Sequence, residues 1–250
     1  MIFFFKKPKI YVDCFTHHDN VFNNYKPLPS NKFIPQEWKA LPKQVDVPAF
    51  GDNPGKMMIP NGTLKTCSGF LELFSTGFML QMWADLYIET DSNGGFKAGS
   101  PSNVMQCEQH PKFQVWDTFY KEHSHVKIVP PWVLSEKSGV NFFWSGIPWL
   151  DTDMSSQYKP LTGVVNYKYQ HATSINFFAP KDSLVKFRAG QPMVQIVPLS
   201  EKDVKLNYHL ISRDEYANRF CHQPTYIRMQ SEYKRLSKFN EKKCPFGFGK

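Results

Sequence analysis

The sequence predicts a mainly β protein: a single β-barrel or jelly-roll-like domain with short helical N-terminal elements and a helical, basic C-terminal extension. Three observations carry this expectation. Between Phe78 and Leu199, short apolar runs alternate with Gly, Pro, Ser and Asn turns, and helical spacing is scarce. Asp91-Ser92-Asn93-Gly94-Gly95 reads as a hairpin tip, because Asn and Gly accept the backbone conformations that tight turns demand. The stretch from Pro160 to Leu199 places β runs at Gly163-Val164-Val165-Asn166, at Ile175–Phe178 and after Gly190, which is how a compact barrel returns its chain.

Taken in order, Ile10 to Phe15 form a first strand, followed by a Pro- and Asn-rich passage through Lys26-Pro27-Leu28-Pro29-Ser30. Pro35 to Pro42 reads as one or two helical turns, with Pro35 favoured at the start and Pro42 as the stop. Residues Asp46 to Gly62 hold several Gly and Pro and read as loop. Thr66 to Gly77 reads as a short helix closed by Gly77, and Phe78 to Thr90 as one long strand. Further strands are expected at 126–129, 132–134, 141–145, 163–169, 174–178, 184–187 and 193–199. Asp214 to Phe220 and Arg228 to Phe239 have helical spacing, with Tyr226, Met229, Tyr233 and Leu236 roughly on one face. The expected organisation is a Pro-rich N-terminal arm (1–65) packed on a β core (66–204), then the helical basic extension (205–250).

Composition narrows the function classes. Aromatic residues make up 16% of the 250 residues, Phe alone counting 22, which is enough for a sizeable core. The formal charge of +8 is concentrated beyond Arg213 and makes that end the expected contact for nucleic acid or another anionic surface. Five widely spaced cysteines with no C-x-x-C pair argue for free thiols rather than a zinc knuckle or a redox dithiol. The opening run Ile2-Phe3-Phe4-Phe5 precedes its basic residues, the reverse of a secretory signal, and no apolar run reaches membrane-spanning length. The expected setting is therefore a host cytoplasm or a virion, without a membrane partner.

Several motifs, in order, resemble an uncharacterised family of tailed-phage and bacterial proteins of unknown function. They are Ile34-Pro35 with Trp38, Thr66-Cys67 with Gly77-Phe78, His110-Pro111 with Gln114, Pro131-Trp132, Leu161-Thr162-Gly163-Val164-Val165, and Gly190 with Pro192 and Gln195. The resemblance covers most of the chain up to about Val204 and implies a viral origin without a particular activity. More locally, Gly163-Val164-Val165-Asn166 with Tyr169, then Gly190 and Gln195, looks like the closing half of the dUTPase and dCTP deaminase β-barrel. That likeness implies nucleotide-binding roles for Asn166, Tyr169 and Gln195. Asn166, however, stands where that family has an Asp that orders the catalytic water, and an amide is no general base. The family's Ser-rich phosphate motif is also not recognisable, so shared topology is expected rather than shared chemistry.

Two other constellations point to chemistry or contact. His123-Ser124-His125 puts two imidazoles on one face of a strand, where His123 and His125 with His110 could hold Fe, Mn or Zn as cupin-type barrels do. His17-His18-Asp19 contains a His-x-Asp pair, but it sits in a polar stretch without a suitably spaced arginine anchor and reads as solvated loop. Trp132, Phe142, Phe143, Trp144 and Trp149 form the densest aromatic cluster, and alternate strand residues must face opposite sides. Trp132, Trp144 and Trp149, with Lys234 and Arg235 of the basic end, are therefore expected at a contact with another chain. The resulting expectation is a non-catalytic phage-type binding or virion structural and assembly protein, acting on virion components or on copies of itself. A metal-dependent cupin-like enzyme of oxygenase type is the alternative, and a dUTPase-like nucleotide binder the third reading.

Overall fold

The computed structural model of the protein describes residues 8–48, 58–110, 121–147 and 158–221. Among the described residues the chain is mainly β, and its strands form five sheets, none of which closes into a barrel. The expected single closed barrel is thus replaced by several open sheets around one core.

Strand β1 (Lys9–Thr16) begins the described chain, as the sequence implies, and α1 (Asp19–Asn24) follows. Short β2 (Leu28–Pro29), a 3-10 turn at Ser30–Phe33 and α2 (Gln36–Ala40) occupy the Pro-rich passage. Pro35 precedes α2 and Leu41 ends it in extended backbone, so the proline boundaries act as expected. The stretch read as loop from Asp46 to Gly62 instead contributes to a hairpin. Here β3 (Gln44–Pro48) pairs antiparallel with β4 (Met58–Gly62), and Val47 lies opposite Ile59.

Helix α3 (Ser68–Ser75) ends just before Gly77, whose φ of +71° only glycine adopts freely. A Cβ there would also lie 2.1 Å from the Ile196 carbonyl oxygen, so this crossing point leaves no room for a side chain. The long strand expected from Phe78 to Thr90 is in fact two, β5 (Phe78–Gln81) and β6 (Leu86–Thr90), in different sheets. The break at 82–85 is held from outside: Met82 donates its N–H to the Gln191 carbonyl and accepts from the Gly190 N–H. β6 then turns into β7 (Phe96–Gly99) through the expected Asp91–Gly95 tip, where the Asp91 carboxylate accepts from the Asn93 and Gly95 N–H groups.

The remaining strands are β8 (Cys107–Glu108), β9 (His123–Ile128), β10 (Val133–Glu136), β11 (Asn141–Ser145), β12 (Lys159–Pro160), β13 (Gly163–Asn166), β14 (Ile175–Pro180), β15 (Leu184–Phe187), β16 (Pro192–Pro198) and β17 (Asp203–Leu210). An antiparallel five-stranded sheet runs β13-β11-β16-β5-β2, and a four-stranded one runs β12-β14-β9-β8. Two three-stranded sheets are β15-β6-β7 and β10-β1-β17.

The boundary expected at 204 falls inside β17, which runs parallel to β1 over eight residue pairs from Lys9↔Asp203 to Thr16↔Leu210. Val204, Leu206 and Tyr208 alternate toward the core, which outweighs the helical reading of the basic end at this point. Helix begins only at α4 (Arg213–Tyr216), which runs into a π turn at Ala217–Cys221. Ile10, Val12 and Cys14 of β1 share one buried cluster with Phe78, Phe142, Phe177 and Phe187, so the N-terminal stretch begins inside the core and is not only an arm packed on it. No helix among the described residues is long and apolar enough to cross a membrane.

Candidate functional site

Among the described residues, the histidines of β9, Asn166, Gln195 and Phe143 lie on the outer faces of the sheets. The four-stranded sheet carries the histidines. His123 and His125 lie on one face of β9, opposite Pro180 and Phe178 of β14, as the His-x-His spacing requires. His125 is buried, its ring 4.9 Å from that of His110, and its Nδ1 accepts the His110 backbone N–H at 3.3 Å. Burial, and then the neighbouring His110, lower its pKa to about 4, so the imidazole stays neutral around pH 7. Beside it, Lys127 Nζ pairs with Glu108 at 2.5 Å. His110 and His125 are thus brought together and His123 lies along the same face. No group of three His, Cys, Asp or Glu placed to hold one ion occurs among the described residues.

The five-stranded sheet separates the residues of the nucleotide-site reading. Asn166 lies opposite Asn141 at one end of β11, while Gln195 lies opposite Ser145 at the other. Four residues of strand put them on the order of 13 Å apart along the sheet. Each is also engaged with its own chain. Asn166 donates to the Gly139 carbonyl and to Asn141, and its Oδ1 accepts the Lys168 N–H, which ends β13 in a turn. Gln195 is fully buried and its Nε2 donates to the Leu73 and Thr76 carbonyls, anchoring α3 to the sheet. Tyr169 is half-buried, with the Lys168 ammonium 5.6 Å from its ring centre.

The aromatic cluster divides by strand parity. Phe142 and Trp144 point inward; Trp144 is 5% exposed and its indole N–H donates to the Tyr167 hydroxyl at 2.5 Å. Trp132 is buried as well and donates to the Tyr25 carbonyl. The expected partner contact through Trp132 and Trp144 is therefore corrected: both are core residues whose polar atoms are satisfied within the chain. Trp149, Lys234 and Arg235 lie outside the described residues. The crevice between Leu80, Trp132, Trp144, Tyr167 and His171 does not admit even a water molecule.

What faces outward on β11 is Phe143. It pairs across the sheet with Val164 of β13 on one side and Val197 of β16 on the other. Phe143 is 37% and Val164 57% exposed, and β13 is the edge of the sheet. The signal was legible in outline, since Phe143 must face away from Phe142 and Trp144. The pairing that sets the three residues in one row was not.

Sequence reading also missed a polar cluster on the outer face of the β10-β1-β17 sheet. Asp13 accepts from His209 Nε2 at 3.0 Å and from the Asn207 amide at 3.2 Å. Burial alone would raise the Asp13 pKa, but these two hydrogen bonds hold the carboxyl below its ordinary value. The parallel register that places Asn207 and His209 beside Asp13 and Phe15 joins residues almost two hundred positions apart, and no local pattern encodes it. Among the thiols, Cys14 is buried and Cys107 half-buried, and burial pushes the pKa of both up, Cys107 to about 11, so neither is a ready thiolate.

No protein-family model matches this chain, and no curated protein matches it either. Class and function therefore rest on the residues themselves.

Proposed function

We propose that this chain is a non-catalytic binding protein, of the tailed-phage type its motifs resemble, whose sheets wrap one core in the manner of a jelly roll. Its work is to hold another protein chain, as a structural or assembly component of a virion. The observation that carries this reading is the cross-strand row Val164–Phe143–Val197, which leaves two large apolar side chains exposed next to a sheet edge. An aromatic with β-branched neighbours in register makes a flat, rigid apolar surface that another chain can bury at low entropic cost. Two further observations support binding over catalysis. Asn166 is spent on hydrogen bonds to Gly139 and Asn141, and Gln195 Nε2 on bonds to the Leu73 and Thr76 carbonyls.

The experiment is sedimentation velocity of wild type and of a Phe143→Ser/Val164→Ser variant across concentration, alone and with purified virion proteins. A complex or oligomer that the variant loses while retaining its fold supports the reading. A strict monomer at high concentration that binds no virion component overturns it. The second reading, a cupin-like metalloenzyme, rests on the 4.9 Å approach of His110 and His125. Stoichiometric Fe, Mn or Zn in freshly purified protein, lost in His125→Gln, would favour it.

A further inference from the structure

The end of β1 carries a second concentration of rings, unconnected with the row on β11. The Ile211 N–H bonds to the Thr16 carbonyl, and the chain then turns at Ser212, whose hydroxyl caps α4 by accepting the Glu215 N–H. From there α4 and the π turn lie across the outer face of β1. Tyr216 packs on His17 with ring centres 4.5 Å apart, and Phe220 packs on Phe15 at 5.3 Å. Arg219 sits over the Phe15 ring at 5.3 Å, and Phe220 also meets His171 at 5.8 Å. His209 stacks on Phe15 at 4.6 Å and 19°. Phe15 faces away from the core and is nonetheless only 9% exposed, which is the work of this cover.

Three histidines line the contact: burial favours the neutral ring in each, against the pull of backbone carbonyls at His171, and His17 and His18 are also set close together. His17 and His18 lie 3.8 Å apart, and the His17 Nδ1 is buried without a hydrogen-bond partner. Two imidazolium ions at that separation would repel each other strongly. The charge acting on both rings is also positive, that of Arg213 at the start of α4. The acids close by do not offset it. Asp13 of β1 is engaged by His209 and Asn207 of β17, and Glu215 of α4 by Arg219 at 3.2 Å. Asp19 of α1 and Asp214 of α4 are the other acids of these elements, and Lys137, from the β10–β11 turn, acts on Asp13. His171, beside β10, is bonded to the Leu134 carbonyl.

We propose that α4 and the π turn form an acid-released latch: neutral His17, His18 and His171 hold it on β1, and their protonation detaches it and uncovers Phe15. The direction follows from linkage. Burial lowers the pKa of all three rings in the docked state below the ordinary value of 6.5, and for His17 and His18 the charge of Arg213 adds to it. The docked form therefore binds fewer protons than the released form. Docking is fully favoured above about pH 6.5 and is lost progressively as pH falls through the lowered values. His209 is paired with Asp13 at 3.0 Å. That pair lies between β1 and β17, so the sheet stays closed while its cover leaves.

Hydrogen exchange, corrected for intrinsic rates, reads the latch directly at the amides of residues 214–220 between about pH 7.5 and about pH 5. In wild type their protection should fall by roughly tenfold or more, while amides of β1 and β17 keep theirs. H17Q/H18Q should cut the fall to less than about threefold, and R213Q should also reduce it, because each removes part of the repulsion. Y216A should show low protection at both pH values. Should the double variant fail to fold, H18Q alone, at a half-buried position, should still shrink the response. Unchanged wild-type protection across the range, or an equal fall in a folded histidine variant, overturns the proposal.

Discussion

The outer face of the five-stranded sheet is covered over β16 and β5 and, among the described residues, left open around Phe143 and Val164 of β11 and β13, and the two halves use their side chains in opposite ways. Under α3, Met79 is fully buried and Gln195 holds the helix by its main-chain carbonyls. Phe74 of α3 is buried there too, with the edge of Trp38 against it at 5.0 Å. Across the same sheet, Phe143 and Val164 face out, 37% and 57% exposed, with no such cover among the described residues. A covered face tolerates a buried polar residue where the cover supplies partners, as it does for Gln195 Nε2. A bare face that keeps large apolar residues instead has a surface suited to association. The difference teaches where to look for function: at the half that is left unfinished.

Substitutions can break or sharpen that comparison. The largest effect is expected at Trp144, which adjoins Phe143 in sequence but faces the core. Trp144→Ala should cost about 3–5 kcal/mol in denaturant unfolding, by cavity formation and by stranding the Tyr167 hydroxyl. A cost under about 1 kcal/mol would mean that β11 is not divided into an inner and an outer face as described. Next comes Gly77→Ala beneath the covered half, where positive φ and the Ile196 carbonyl at 2.1 Å both oppose a methyl group. About 3 kcal/mol is expected there, with the folded form of the variant showing a shifted α3.

The covered outer face of the four-stranded sheet supplies a pH test. His125 is neutral in the fold, with its pKa lowered from 6.5 to about 4, chiefly by burial. Stability should therefore be full above about pH 6.5 and fall by about 2 kcal/mol as pH approaches 4, after allowance for solvent screening. Thermal or urea unfolding of His125→Gln across that range should show a flatter profile, and an unchanged slope would count against the buried neutral ring. The smallest effect belongs to the bare half. Phe143→Ser with Val164→Ser should alter folding stability by less than about 1 kcal/mol, while abolishing association. A large loss of stability there would mean that the chain itself covers this face.

Much of the strand content was legible because period-2 patterning and turn residues are local signals. Asn141–Ser145 and Leu184–Phe187 have the bounds expected of them, and the Asp91 turn joins β6 to β7 as its residues require. The break between β5 and β6 was not legible, since Trp83 and Ala84 are as apolar as the strands around them and the division is imposed by Gln191 and Gly190 across the fold. The same holds for β17. Its alternation of Val204, Leu206 and Tyr208 was present in the sequence, but the basic composition beyond it argued for a solvated helix.

By itself the sequence determined a β-rich chain with enough aromatic side chains for one core, the faces on which His123, His125 and Phe143 lie, and helical spacing from Asp214. Those properties depend on neighbours a few residues away, through strand alternation, turn conformation and capping. Tertiary structure alone decided that β1 and β17 run side by side, that Asn166 and Gln195 are held apart by the length of β11, and that Trp132 and Trp144 are core while Phe143 is surface. These are pairings between distant segments. They are set by which apolar faces can be buried together, and a one-residue change of register would reverse every one of those faces.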